Sequence, residues 1–285
     1  MRYCPCRWAT LRQRASAGKL RRMCRVGRIA STLAILISAA LAQDWAKASL
    51  DKSPRHQEWA QVKHGERVVH TFVVYPETKR KVPVVLLIHE NGGLTDWVRS
   101  MADQVAAAGY IAVAPDLLSG MGPKGGKTSD FADPSSAREA IYKLPPEQVT
   151  ADLDAVADYA RKLPGGNGEV AVAGFCWGGG QTFRYAASGA DIGAAFVFYG
   201  SGPDDVSRVK APVYGFYGGN DERINATIPK STELMKQAGK KYEPVTYDGA
   251  GHGFMRSGEA PDANEANKKA RQQAWERWMG LMKKL

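Results

Sequence analysis

The chain has 285 residues, of which 24% are charged, and its formal net charge is +10. Nine of these ten excess positive charges lie in residues 1–42, a segment that contains no acidic residue. Because the rest of the chain is close to neutral, the charge gives no support to nucleic-acid binding, and no nucleic-acid partner is expected.

Residues 1–42 have the pattern of a secretory signal peptide. An arginine-rich flank precedes the apolar run 29–42, which ends in Ala-Leu-Ala. We expect cleavage after Ala42 and a periplasmic or secreted location. The protein would then contact the membrane only while it is being secreted. A membrane anchor is the alternative, but it would need about 20 apolar residues. A complete signal-peptide pattern, with a basic flank, an apolar run and a cleavage site, also begins at Met23, which is therefore a candidate translation start.

The number of cysteines limits which disulfides the chain could form after removal of the signal peptide. Three of the four cysteines lie in the predicted signal peptide, so the mature chain would retain Cys176 alone and could form no intramolecular disulfide. Residues 43–285 have the length of one globular domain. We expect that domain to be a monomer without a cofactor.

Residues 43–61 form a predicted polar lead-in, after which strand and helix patterns alternate. The strands are predicted at 67–75, 82–88, 110–114, 169–173, 194–199, 212–217 and 242–247. The helices are predicted at 96–108, 147–162, 228–238 and 264–283, with another from Gly178 onward. This alternation predicts an α/β fold with a mainly parallel sheet covered by helices on both faces. The Gly- and Pro-rich stretch 115–134 is predicted to be a surface loop near the site.

The run 174–179, Gly-Phe-Cys-Trp-Gly-Gly, has the form of a nucleophile elbow that carries a thiol. It lies between a predicted strand and a predicted helix, as this motif requires. The glycines permit a tight turn, and the start of the helix directs N–H groups at the sulfur, which favours the thiolate of Cys176. The alternative is a small apolar cysteine in a glycine-rich connection.

Polar residues follow four of the predicted strands, whose ends meet at one edge of a parallel sheet. Cys176, Asp221 and His252 follow three of them, in the order nucleophile, acid and base that is typical of α/β hydrolases. His252 would accept the Cys176 proton or stabilise its thiolate, and Asp221 would orient the imidazole. Singly, Asp221 could be a turn former and His252 a solvated loop residue, but their joint order favours a catalytic triad.

The fourth strand end reads His-Glu-Asn-Gly-Gly, residues 89–93. The backbone N–H groups of Asn91 and Trp177 are predicted to form an oxyanion hole. His89 is predicted to be structural. The three histidines nearer the amino terminus lack a metal-ligand spacing, so no metal site is expected.

These residues resemble the dienelactone hydrolase family, whose members are also called carboxymethylenebutenolidases, over nearly all of residues 43–285. The resemblance rests on the cysteine elbow, Asp221, His252 and Glu90, an acid directly before the expected oxyanion donor. In that family the matching glutamate interacts with the nucleophilic cysteine until substrate displaces it and promotes thiolate formation. The resemblance implies that Glu90 is a switch for Cys176, and a solvated acid at a strand end is the alternative.

Two further matches concern a substrate carboxylate. The segment 138–144 resembles the family segment whose Arg and Tyr, four residues apart on one helical face, bind that carboxylate, which implies this role for Arg138 and Tyr142. Arg256, four residues after His252, matches the second arginine of the family. The alternatives are a surface helix position for Arg138 and a loop position for Arg256.

The chain departs from the family pattern in the predicted pocket wall. Where the founding enzymes have an apolar and an aromatic residue after the glutamate, this chain has Asn91 and Gly92, and Pro145 replaces another aromatic residue. The family includes members with other ester and lactone substrates. The sequence therefore predicts the chemistry more sharply than the substrate.

The sequence as a whole predicts a secreted, single-domain α/β hydrolase that opens an ester or lactone through an acyl-enzyme on Cys176. An anionic dienelactone is the favoured substrate. A general carboxylesterase or thioesterase on the same residues is the nearest alternative. A non-catalytic envelope binding protein is a more distant one, which the complete triad argues against. A cysteine peptidase is another, although no feature indicates a peptide-binding cleft.

Overall fold

The computed structural model describes residues 44–285, so the predicted signal peptide lies outside the described residues. The first half of this region contains α1 (Asp44–Asp51), β1 (Gln57–His64), β2 (Arg67–Val74), β3 (Val82–Ile88), α2 (Asp96–Ala107), β4 (Ile111–Pro115), α3 (Pro134–Tyr142) and α4 (Pro146–Arg161). The second half contains β5 (Gly166–Phe175), α5 (Trp177–Ala187), β6 (Ala194–Phe198), β7 (Val213–Gly218), α6 (Glu222–Asn225), α7 (Ile228–Gln237), β8 (Tyr242–Tyr247), α8 (Phe254–Ser257) and α9 (Glu265–Met282).

The eight strands form one sheet in the order β1-β2-β4-β3-β5-β6-β7-β8. β2 pairs antiparallel with both β1 and β4, and every other neighbouring pair is parallel. The predicted mainly parallel α/β sheet is therefore confirmed. The parallel strands from β4 to β8 all point their carboxyl ends toward one edge of the sheet.

Strand β3 shows how the sequence fills both faces of this sheet. Its residues Val84, Leu86 and Ile88 pack in one core cluster with residues of α4, α5 and α7. Val85 and Leu87 point to the opposite cluster, which contains residues of α1, α2 and α9. All five side chains are fully buried, which explains why this strand is apolar without alternation.

The prediction of a polar lead-in at 43–61 is wrong, because this segment forms α1 and β1. All eight residues of β1 pair with β2 at the edge of the sheet, and an edge strand with one exposed face needs few apolar residues. Helix α1 buries Ala46 and Leu50. The Arg55 guanidinium then ties the segment to the buried Asp103 on α2, with Nη2 at 2.6 Å from Oδ2.

The stretch 115–134 is a surface loop in part. Residues 116–119 are buried, contrary to the prediction, because Leu117 and Leu118 pack in the same core cluster as Val84. Arg67 satisfies the carbonyl groups of Leu117 and Ser119 with hydrogen bonds of 3.1 and 2.8 Å. The remaining loop is mostly exposed and leads into α3, whose amino terminus is capped by Asp133. No helix among residues 44–285 is long and apolar enough to cross a membrane.

Candidate active site

Cys176 occupies the sharp turn between β5 and α5, with φ 58° and ψ −116°. A positive φ is strained for a residue with a side chain, so the surrounding structure must enforce it. A Cβ atom at Gly174 would lie 2.2 Å from the Gly178 carbonyl oxygen, and one at Gly178 would lie 2.3 Å from the Ile88 oxygen. Glycine is therefore required at both positions, and the turn presents a partly exposed thiol at the carboxyl edge of the sheet.

The backbone on both sides of Cys176 is firmly held. Its N–H donates to the Phe198 carbonyl at 3.0 Å, and its carbonyl accepts from the Gly180 N–H at 3.2 Å. Trp177 begins α5, where the first backbone N–H groups have no partner within the helix. The elbow therefore directs both a thiol and free N–H donors toward the same edge.

His252 lies between the thiol and a buried acid. Its Nδ1 lies 2.5 Å from Oδ2 of Asp221, which is 6% exposed, and the ring is close enough to Cys176 to interact with it electrostatically. Burial lowers the pKa of His252, but the interactions of the ring with Cys176 and Asp221 outweigh this effect and raise the pKa to about 9. The imidazole therefore carries a proton at neutral pH.

The loops that carry Asp221 and His252 are bonded to each other. The Asn220 N–H donates to the Ala250 carbonyl at 2.9 Å. The Gly251 N–H donates at 3.0 Å to the side chain of Asn267, a nearly buried residue of α9. The acid and the imidazole are therefore fixed relative to the sheet rather than placed on independent loops.

His89 supports the strand end that carries Glu90 and Asn91. The Leu117 N–H donates to its Nε2 at 3.2 Å, so Nδ1 carries the hydrogen and donates to the Glu90 carbonyl at 2.8 Å. Burial lowers the pKa of His89, which keeps this fully buried ring neutral. The ring stacks on Trp177 at 5.5 Å, so His89 has structural contacts, as expected from the sequence.

The turn that follows brings Asn91 toward the start of α5. The Gly93 N–H closes the turn on the Glu90 carbonyl at 3.1 Å, and the Leu94 N–H donates to Thr128 Oγ1 at 3.1 Å. The close contact of Gly178 with the end of β3 sets the two segments side by side. The oxyanion hole formed by the backbone N–H groups of Asn91 and Trp177 stays a prediction from the sequence.

Glu90 forms an ion pair with Arg256, whose Nε lies 2.9 Å from Oε2. The Glu90 side chain is 13% exposed, so the alternative of a solvated acid is wrong. Among residues 44–285 the Glu90 carboxylate makes no hydrogen bond to Cys176, although the family resemblance implied such a contact. The charge of Glu90 raises the pKa of Arg256, and this guanidinium also interacts electrostatically with Cys176.

The two residues expected on α3 lie in different surroundings. Tyr142 is 64% exposed, and its hydroxyl accepts a 3.4 Å hydrogen bond from the Asn91 side chain, which places it beside the oxyanion turn. Arg138 is exposed and has no ion pair or hydrogen bond within the described part of the chain. No group of three or more His, Cys, Asp or Glu in residues 44–285 could hold a metal ion.

Sequence reasoning missed Tyr199, which the prediction made the last residue of the strand 194–199. β6 ends at Phe198, so Tyr199 is a strand-end residue next to the elbow. Its ring lies 5.1 Å from the His252 ring, edge to face. The available signal was its position directly before Gly200 at the end of an apolar strand.

The sheet, the elbow and the order of the strand-end residues define an α/β-hydrolase fold. A model of the dienelactone hydrolase family matches residues 69–285. The chain belongs to this family, which makes it a carboxylic ester hydrolase acting on esters or lactones.

Three relatives illustrate the similarity. A carboxymethylenebutenolidase of Pseudomonas putida is 33% identical over 201 residues, which cover 66% of this chain and 82% of that protein. A Salmonella typhimurium protein provisionally named a carboxymethylenebutenolidase is 34% identical over 212 residues, 70% of this chain and 76% of that one. A crystal structure of a Klebsiella pneumoniae protein, provisionally named a dienelactone hydrolase, superposes with a TM-score of 0.70 at 26% identity and covers 81% of this chain and 99% of its own.

Proposed function

We propose that the protein hydrolyses a lactone or ester that carries a carboxylate, as a dienelactone does, through a thioester on Cys176. The observation that carries this proposal is the placement of His252 between Cys176 and Asp221, with Nδ1 2.5 Å from Asp221 Oδ2 and the imidazole pKa raised to about 9. An imidazolium beside the sulfur favours the thiolate, which is the nucleophilic form of cysteine.

The reaction proceeds in two steps, formation of the thioester and its hydrolysis. In the first, the Cys176 sulfur attacks the acyl carbon, the ring C–O bond breaks, and the His252 imidazolium gives its proton to the leaving oxygen. In the second, His252 takes a proton from water as the water oxygen attacks the thioester, and the thiolate leaves. The backbone N–H groups of Asn91 and Trp177 stabilise the oxyanion in both steps, and Asp221 holds the imidazole orientation.

Arg256 is the proposed carboxylate-binding group. It lies close enough to Cys176 for their charges to interact, and its partner in the free protein is Glu90. A substrate carboxylate would therefore compete with Glu90 for the guanidinium and release the Glu90 carboxylate from it. Tyr142 lies at the mouth beside Asn91, and Arg138 on the same helix would meet the substrate from solvent.

The direct test is the turnover of a carboxylate-bearing dienelactone, followed by loss of its ultraviolet absorbance, with the Cys176→Ala variant as the blank. Turnover that disappears in the variant supports both the cysteine mechanism and the anionic substrate. Turnover that is equal in the two proteins contradicts the mechanism. If the protein hydrolyses neutral esters and leaves the dienelactone intact, the proposed substrate is wrong.

A general carboxylesterase or thioesterase is the second candidate. It is favoured by two observations, since Arg138 has no partner and Glu90 already neutralises Arg256 in the free protein. Such an enzyme would hydrolyse neutral esters at rates that ignore substitution of either arginine. The comparison of charged and neutral substrates therefore separates the two candidates.

We also infer export of the protein after removal of residues 1–42. The support is the basic flank followed by a short apolar run that ends in Ala-Leu-Ala. Amino-terminal sequencing of the protein recovered from its native host should give Gln43 as the first residue. A first residue of Met1 or Met23 in the mature protein would contradict the proposed cleavage.

A further inference from the structure

The hydroxyl of Tyr199 is a buried donor without a partner. The residue is fully buried, and its hydroxyl makes no hydrogen bond to any group among residues 44–285. Buried polar groups in folded proteins nearly always have partners, because an unpaired one destabilises the fold. An orphaned hydroxyl next to reacting groups therefore points to a partner that is acquired in another state of the site.

The backbone fixes Tyr199 in place despite a strained conformation. Its φ is 40°, a value that side-chain-bearing residues rarely adopt, and its N–H donates to the Phe216 carbonyl at 2.8 Å. Gly200 follows directly, and a Cβ atom there would lie 2.2 Å from the Gly180 nitrogen. The close packing of β6 on the first turn of α5 therefore positions both the elbow and the Tyr199 ring.

The Tyr199 ring lies beside the charged groups of the site. Its centroid lies 5.1 Å from that of His252, and the residue interacts electrostatically with Glu90, Arg256 and Cys176. Burial and the Glu90 charge hold the pKa of Tyr199 well above its usual value, so the hydroxyl keeps its proton and acts as a donor. Of these neighbours, Glu90 offers the best acceptor, because Arg256 Nε bonds its Oε2 and leaves Oε1.

We propose that Tyr199 is a positioning residue whose hydroxyl donates a hydrogen bond to the Glu90 carboxylate when a substrate carboxylate occupies Arg256. The inference rests on the proposed function, since it needs an anionic substrate that competes with Glu90 for the guanidinium. A carboxylate that loses its cation while largely buried is costly without another partner. When the substrate is neutral, the Glu90–Arg256 ion pair stays intact, and the Tyr199 hydroxyl donates no hydrogen bond to Glu90.

The test compares two esters with the same leaving group, 4-nitrophenyl hydrogen succinate and 4-nitrophenyl butyrate, which differ by a carboxylate. Because the hydrogen bond stabilises the bound state and the transition state equally, Tyr199→Phe should raise KM for the charged ester and leave its kcat unchanged. The rise expected for one hydrogen bond to a charged group is about 10- to 150-fold. Both parameters for the butyrate ester should stay at their wild-type values.

Tyr247→Phe is the matched control. Tyr247 is a nearly buried tyrosine that packs on Phe254 in the same core cluster, but its charged neighbour is Arg277. This variant should behave as wild type with both esters. The melting temperature of Tyr199→Phe should equal or exceed that of wild type, because the change removes an unpaired hydroxyl and keeps the ring.

A double-mutant cycle with Glu90→Gln gives a second measurement. With the carboxylate neutralised, removal of the Tyr199 hydroxyl should change KM for the charged ester much less than it does in wild type. Effects of Tyr199→Phe that are the same in both backgrounds would overturn the proposal. A lowered melting temperature with equal losses on both esters would also overturn it, since a structural role would then suffice.

The Arg256→Ala variant separates failure of this inference from failure of the proposed function. If Arg256→Ala raises KM for the charged ester and Tyr199→Phe does not, the anionic substrate stands and the role of Tyr199 is overturned. If neither wild type nor Arg256→Ala distinguishes the two esters, the proposed function fails, and the role of Tyr199 fails with it.

Discussion

The two halves of the site differ in how complete they are without substrate. The His252 side chain is already hydrogen-bonded to Asp221 and lies beside Cys176, and the loops that carry the acid and the imidazole are bonded to each other. In the cationic half, Arg256 is neutralised by Glu90, and Arg138 lies exposed without a partner. On the proposed function, a substrate carboxylate must therefore displace Glu90 from Arg256, whereas the chemical half needs no such rearrangement.

The two halves therefore depend on different kinds of contact. The chemical half is fixed by backbone geometry, such as the positive φ of Cys176 and the close approach of Gly178. The cationic half is fixed by one side-chain ion pair that a competing anion can break. Substitutions in the first half should affect every substrate, and substitutions in the second should depend on substrate charge.

The largest effect is expected for Cys176→Ala. Removal of a nucleophile typically lowers kcat by about 10⁶-fold, so the variant should lose hydrolysis of charged and neutral esters alike. Steady-state assays on both esters check this. A variant that keeps activity on either ester would show that another group attacks that substrate.

The second-largest effect is expected for Asp221→Asn, which should lower kcat by about 10⁴-fold. The amide cannot hold the His252 ring with its proton in the same place, although it fills the same space. Asp248→Asn, a change at an exposed acid one loop away, is the matched control and should leave kcat unchanged. Similar losses in the two variants would contradict a specific role for Asp221.

His252 should titrate far above the usual range for histidine. A pKa of about 9 means that the ring keeps its proton through neutral pH and releases it as the pH rises through 9. Relative to the ordinary value, this is an increase of about 300-fold in proton affinity. NMR of the labelled imidazole gives the midpoint, which Cys176→Ala should lower because Cys176 helps to raise it. A wild-type midpoint near 6.5 would contradict the ion pair.

Arg256→Ala should give a smaller effect that depends on substrate charge. Loss of one charge-assisted hydrogen bond should lower kcat/KM about 10- to 150-fold for 4-nitrophenyl hydrogen succinate and little for the butyrate ester. Arg138→Ala should change either value by less than about threefold, because Arg138 is exposed. Equal losses on both esters in Arg256→Ala would refute the carboxylate-binding role.

The sequence predicted the parallel part of the fold because its strands are buried on both faces. The predicted bounds of β3 and β8 coincide with those in the structure. The edge segment α1–β1 was missed, since pairing at an exposed edge leaves little apolar periodicity. Burial of residues 116–119 was missed because it depends on packing in the core and on Arg67, about 50 residues away in sequence.

The same distinction applies to the site. Cys176, Asp221 and His252 could be located because each follows a strand, and the topology then places the three strand ends together. The pairing of Glu90 with Arg256 joins positions 166 residues apart and depends on side-chain rotamers, which no local pattern encodes. The orphaned hydroxyl of Tyr199 likewise becomes visible when its three-dimensional surroundings are known.

Peptide mass mapping of protein quenched in acid during dienelactone turnover tests the central claim most directly. The proposed mechanism predicts that the peptide containing Cys176 gains the mass of the ring-opened acyl group, and that the gain disappears when the substrate is exhausted. The mechanism is contradicted if the substrate is consumed while Cys176 stays unmodified and another residue carries the acyl group.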